Sequence, residues 1–137
     1  MTMRYLMINL TLENIFRKGL MHIELLREYC LMKKCVEETF PFGDDTLVYK
    51  VMGKMFALTS FSEPDTCNLK CEPEKAIELR SEYEAVQPGF HMNKKHWNTV
   101  HYNRDLPDKE ILKLVDHSYE VVVAGLPKKV QEEMKKR

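Results

Sequence analysis

The sequence predicts an α+β fold of two layers, an antiparallel sheet with helices packed on one of its faces. Three observations lead there. Two β-rich runs, residues 46–51 and 54–60, flank a two-residue Met52-Gly53 connection, a hairpin signature. Apolar residues recur at three- and four-residue spacing in several separate segments, as in helices with one buried stripe. In the predicted order of helix, three strands, helix, strand, helix, helix, gathering the helices on one face of a hairpin-built sheet is the economical way to bury both.

The elements follow in chain order. Met21 opens a segment that reads as a natural start, so residues 1–20 are expected to be an N-terminal extension and residues 21–137 a single domain. Ile23, Leu26 and Cys30 share a stripe and predict a helix over residues 23–33. Pro41, Phe42, Gly43, Asp44 and Asp45 form a turn cluster, and Glu37, Glu38, Asp44 and Asp45 read as a solvated acidic rim. The hairpin strands come next. Residues 62–65 read as a loop and residues 67–70 as a short third strand, antiparallel to the second.

Pro73 suits a first helical turn, and Ala76, Leu79 and Tyr83 lie on one face, predicting a helix over residues 73–82. Residues 87–90 break that pattern. Residues 97–102 form the next strand, with Trp97, Thr99 and His101 on one side and Asn98, Val100 and Tyr102 on the other. Asp105 is the expected cap of the following helix and Pro107 a member of its first turn. Ile111, Leu114, Val115, Ser118, Val121 and Val122 are its stripe, Gly125 fits its C′ position, and residues 128–137 form a polar last helix.

Length and composition bound the function. A chain of 137 residues with 44% hydrophobic residues can bury a real core. No apolar run reaches the roughly 20 residues that span a bilayer, and no secretory signal is recognisable, so a cytoplasmic location with no membrane partner is expected. Formal net charge is zero, yet residues 91–137 carry 10 Lys and Arg against 7 Asp and Glu, whereas residues 1–90 carry 11 against 14. The basic C-terminal third can attract an anion even in a neutral chain. Cys30, Cys35, Cys67 and Cys71 lack finger-like spacing to the histidines and read as free thiols. Five-residue spacing puts His91, His96 and His101 on alternating strand faces, so no metal and no cofactor is expected. Ser118 falls on a buried helical stripe and reads as packing, and no phosphate loop, nucleophile elbow or zincin helix is present, so no catalytic residue is expected and the protein is not read as an enzyme.

The richest segment is Pro88-Gly-Phe-His-Met-Asn-Lys-Lys-His-Trp-Asn-Thr-Val100, which holds the sole Trp and two adjacent lysines. Lysines neutralise phosphates, and asparagine donates to backbone or base edges. Lys94, Lys95, His96 and Asn98, with Lys54 beside the Met52-Gly53 hairpin, are therefore the candidate nucleic-acid contacts. Lys94 and Lys95 serve equally well as solvated turn residues. Trp97 reads as a core side chain covering the helix of residues 111–122, with base stacking as its other use.

That segment also resembles the MmcQ/YjbR family. So do Phe40-Pro-Phe-Gly43, Val48-Tyr-Lys-Val51, Gly53-Lys-Met-Phe-Ala-Leu58, Asn68-Leu-Lys-Cys-Glu-Pro73, Asp116-His-Ser-Tyr-Glu-Val-Val122 and Leu126-Pro-Lys-Lys129, in this order. The resemblance runs from about residue 21 to residue 129 and omits residues 1–20. It implies a two-layer α+β fold similar to type III secretion chaperones, and a family for which a "double-wing" DNA-binding motif has been proposed. DNA is thus one expected partner, met by basic loops at the phosphates without sequence preference. The alternative is a chaperone-like adaptor that binds a protein and no nucleic acid, which nine adaptable methionines would suit.

Overall fold

Alternation along residues 46–51 sends Leu47, Tyr49 and Val51 to one side and Val48 and Lys50 to the other, and this division organises the whole sheet. The computed structural model describes residues 21–137; the expected extension, residues 1–20, lies outside the described residues. The elements run α1 (Ile23–Leu31), β1 (Val36–Thr39), β2 (Thr46–Val51), β3 (Lys54–Ser60), β4 (Glu63–Lys70), α2 (Pro73–Glu82), β5 (Val86–Pro88), β6 (Trp97–His101), α3 (Asp108–Ala124) and α4 (Lys128–Lys136). The six strands make one sheet in the order β1-β2-β3-β4-β6-β5, antiparallel throughout.

The main core lies between one sheet face and the helices. Leu25, Leu26 and Cys30 of α1 and Ile111, Leu114, Val115 and Val122 of α3 meet Tyr49, Phe56, Ala57, Cys67, Leu69 and Val100 there. Leu79 of α2 and Met134 of α4 join the same cluster, so every helix contributes to one face. On the opposite face Val48, Leu58 and Trp97 form a small second cluster, flanked by Met55 and Met92.

The Met52-Gly53 turn is tight because both residues adopt positive φ (49° and 83°), the twist a two-residue hairpin needs. Two strands escaped the sequence reading, and both are edges. β1 carries Glu37 and Glu38, charges of the kind that protect an exposed edge. β5 contains Pro88, tolerated because β5 pairs on one side only. β4 begins at Glu63, so the expected loop over residues 62–65 is mostly strand. The acidic rim is partly structural too. Glu38 pairs with Arg27 at 2.7 Å, and Asp45 accepts from Ser62 N at 3.0 Å and Ser62 Oγ at 2.6 Å.

Asp105 does not cap α3, whose N-cap is Pro107. Its carboxylate instead accepts the backbone N–H groups of Glu84 and Ala85, each at 2.8 Å, which holds its pKa below the usual aspartate value. Gly125 closes α3 at φ −84°, in ordinary helical geometry rather than the expected left-handed one.

Candidate functional site

The helices crowd one face of the sheet, and the described residues form one groove at the end of the sheet, which the end of α3 also lines, and a second on the opposite face. The first, about 640 Å³, lies at the end of the sheet where β2 turns into β3, where β4 ends and where β6 begins. Lys50, Lys54 and Lys70 line it with Phe42, Met55 and Trp97, and the end of α3 closes it through Val121 and Val122. No acidic side chain is among the lining residues, and among the described residues no carboxylate pairs with any of the three lysines. Lys50 shares the face of Val48, and Lys70 that of Asn68, by the period of two. β3 separates their strands, so their backbones stand about 10 Å apart, two strand spacings.

The second groove, about 490 Å³, begins at the same Phe42 and continues past Leu58, Thr66 and Asn68 to Phe90, His91 and Met92; Asp45 and Glu63 also line it. Phe90 is held over the sheet by its backbone N–H, which donates to Thr99 Oγ1 at 3.0 Å. Thr99 in turn donates to Asn68 Oδ1 at 2.6 Å. The Phe90 ring meets His101 edge to face, with centroids 6.4 Å apart. Burial, then the neighbouring Arg104 charge, lowers the His101 pKa and favours the neutral ring. Phe42 and Phe90 are 65% and 43% exposed, unusual for phenylalanine at the mouth of a groove.

The expected contacts fall in different places. Lys54 is exposed, starts β3 and lines the first groove. Lys94 and Lys95 are exposed on the loop of residues 89–96, next to Trp97. Lys94 Nζ donates to the Gly89 carbonyl at 2.9 Å, which folds its charge back over the loop, whereas Lys95 is tied only through its backbone N–H to Asn93 Oδ1 at 2.9 Å. His96 is half-buried, and its carbonyl accepts from Cys71 N at 2.8 Å. Asn98 is a correction: it is 3% exposed on the helix-facing side, and its Oδ1 accepts from Arg80 Nε at 2.7 Å, so it organises the interior. Trp97 is buried as expected, but against Val48 and Leu58 on the helix-free face rather than over α3.

Arg80 is the residue the sequence reading passed over. From α2 its guanidinium reaches Asn98, the Trp97 carbonyl at 3.2 Å and the Lys94 carbonyl, fixing the loop that presents Lys94 and Lys95. Nothing in its helical pattern distinguishes it from a solvated arginine. Lys50 and Lys70 stand on the face of Trp97 because the strand order brings β2, β4 and β6 into one sheet, which no single segment of sequence shows.

The YjbR family profile matches residues 31–121 of this chain. The chain is 34% identical to the Escherichia coli O157:H7 protein YbdF over 113 residues, covering 82% of this chain and 93% of that one. It is 37% identical to the Escherichia coli K12 protein YjbR over 108 residues, covering 78% and 92%. A crystal structure of the Deinococcus radiodurans protein DR2400, a DUF419 domain, superposes with a TM-score of 0.77 at 37% identity, covering 82% of this chain and 87% of that chain.

Proposed function

This chain belongs to the YjbR family, and we propose that it binds DNA through the helix-free face of its sheet, gripping the phosphate backbone with little regard for sequence. The observation that carries the reading is the first groove. Lys50, Lys54 and Lys70 line it without a carboxylate partner among the described residues, in a chain of zero net charge. An anion is the occupant that such a groove attracts. Two lysines on strands about 10 Å apart suit a phosphate backbone crossing the strands. Lys94 and Lys95, at the far side of Trp97, extend the same basic margin. A binding rather than catalytic role is supported by Ser118, whose hydroxyl is committed to Lys70 N and the Phe56 carbonyl.

The test is fluorescence anisotropy of labelled DNA over a range of salt. Removing one lysine that neutralises a phosphate lowers the slope of log K against log salt by about 0.9 on a duplex. Lys50→Ala/Lys70→Ala should flatten the slope by up to about 2, as should Lys94→Ala/Lys95→Ala if both reach phosphate. No binding by the parent protein at low salt would end this reading. The second reading, a protein adaptor, is favoured by Phe40, Phe61 and Ile77, which are large, apolar and exposed. It predicts partner capture from lysate that survives nuclease.

A further inference from the structure

We infer that the form of DNA taken by this face is single-stranded, with bases stacked on Phe42 and Phe90 and the backbone following Lys50, Lys54 and Lys70. The inference rests on the DNA-binding reading and adds what the second groove supplies. The two grooves share Phe42, so the lysine-lined groove and the aromatic one lie side by side at that ring. Phe42 and Phe90 present their rings at the surface; the backbone of Phe90 is anchored through Thr99, which Asn68 holds, and its ring leans edge to face on His101. An exposed ring on an anchored backbone is a stacking platform for an unpaired base and is sequence-tolerant, because every base has a π-face. A duplex keeps its bases stacked on one another and offers these rings only sugar and phosphate.

The lining of the second groove divides the work. Asp45 and Glu63 disfavour phosphate there, while Thr66, Asn68 and His91 offer hydrogen bonds to base edges. Asn68 spends its carbonyl on Thr99, and its amide N–H groups make no bond among the described residues. Phosphate therefore belongs to the first groove and bases to the second. Charge also argues against the chain's own residues 1–20 as occupant of the lysine groove, because they carry Arg4, Arg17 and Lys18 against Glu13 alone.

The experiment is anisotropy of the full chain with a labelled oligo-dT strand of about 12 nucleotides, the same strand annealed to its complement, and an oligo-U strand. At equal salt the single strand should bind at least about tenfold more tightly than the duplex. Phe42→Ala and Phe90→Ala should each weaken the single-strand complex about fivefold or more, leaving its salt slope and the duplex affinity unchanged. Both side chains are exposed, so the variants should keep the parent's thermal transition. Duplex binding equal to or tighter than single-strand binding would overturn this inference and leave the DNA-binding reading standing. Single-strand binding that survives both phenylalanine substitutions would also overturn it. Tighter binding of oligo-U would move the ligand from DNA to RNA, and failure to bind any of the three at low salt would remove both readings together.

Discussion

Gly89 is where one atom decides the shape of the candidate site. A Cβ there would stand 2.9 Å from Trp97 Cβ and 3.0 Å from the Trp97 carbonyl, both too close to be relieved by a flexible side-chain end. Gly89→Ala should therefore cost about 1–3 kcal/mol through overpacking, read as a lower denaturant midpoint with an unchanged m-value. Trp97→Ala should cost about 3–5 kcal/mol, and the parent's indole emission should be blue-shifted and resist quenching, since Trp97 is 8% exposed. An emission maximum typical of an exposed indole would contradict the placement. His117 supplies a pH dependence. Its Nε2 accepts the Glu72 N–H at 3.3 Å, where α2 begins, so the bond needs the neutral ring. Burial, then the Lys75 charge, holds its pKa below the ordinary 6.5, and burial does the same for His101. The unfolded chain thus takes up protons more readily than the folded one. This contribution to stability is present above the unfolded histidine's ordinary pKa of about 6.5 and is lost as the pH falls below it. His117→Gln should flatten part of that fall in melting temperature; a profile identical to the parent's would show that the bond contributes nothing.

Elements in this fold are joined by single polar side chains at their crossings. Ser118 of α3 accepts from Lys70 N at 2.9 Å and donates to the Phe56 carbonyl, at the residue where β3 is irregular against β2. Ser118→Ala leaves the Lys70 amide without its acceptor and should cost about 1–3 kcal/mol, measured by chemical denaturation. Because Lys70 lines the lysine groove, its amide resonance should shift as well. Arg80 joins α2 to the loop of residues 89–96 in the same way, and Arg80→Ala should speed amide hydrogen exchange at Trp97 and its neighbours while leaving α1 unaffected. The elements themselves divide by how the sequence marks them. α1, β2, β3, α2, β6, α3 and α4 carry an unbroken period or a turn residue, and the sequence reading found them. β1 and β5 are short edges whose Glu37, Glu38 and Pro88 look like loop residues until a neighbouring strand is present to pair them.

At the scale of the whole molecule, a chain of zero net charge gathers the residues of its candidate site by topology. Lys50, Lys54, Lys70 and Trp97 come from four strands, so no sequence motif could have grouped them; only the strand order does. Lys54 projects beside a hairpin, where turn chemistry makes its exposure legible, whereas the burial of Asn98 comes from α2, far away in sequence. Phe42 and Phe90 were hidden in segments that read as a turn and a break, since turn chemistry says nothing about which sheet face a loop will cover. On the proposed reading, the groove of Lys50, Lys54 and Lys70 and the adjoining sheet face are the nucleic-acid surface. Mapping amide chemical shifts of the full chain on addition of short DNA at low salt tests it most directly. The changes should gather at Lys50, Gly53, Lys54, Lys70, Phe90 and Trp97, with Glu24, Arg27 and Lys113 of the helical layer unmoved. Changes confined to α1 and the first turns of α3, with Lys50, Lys54, Lys70 and Phe90 silent, would rule that surface out.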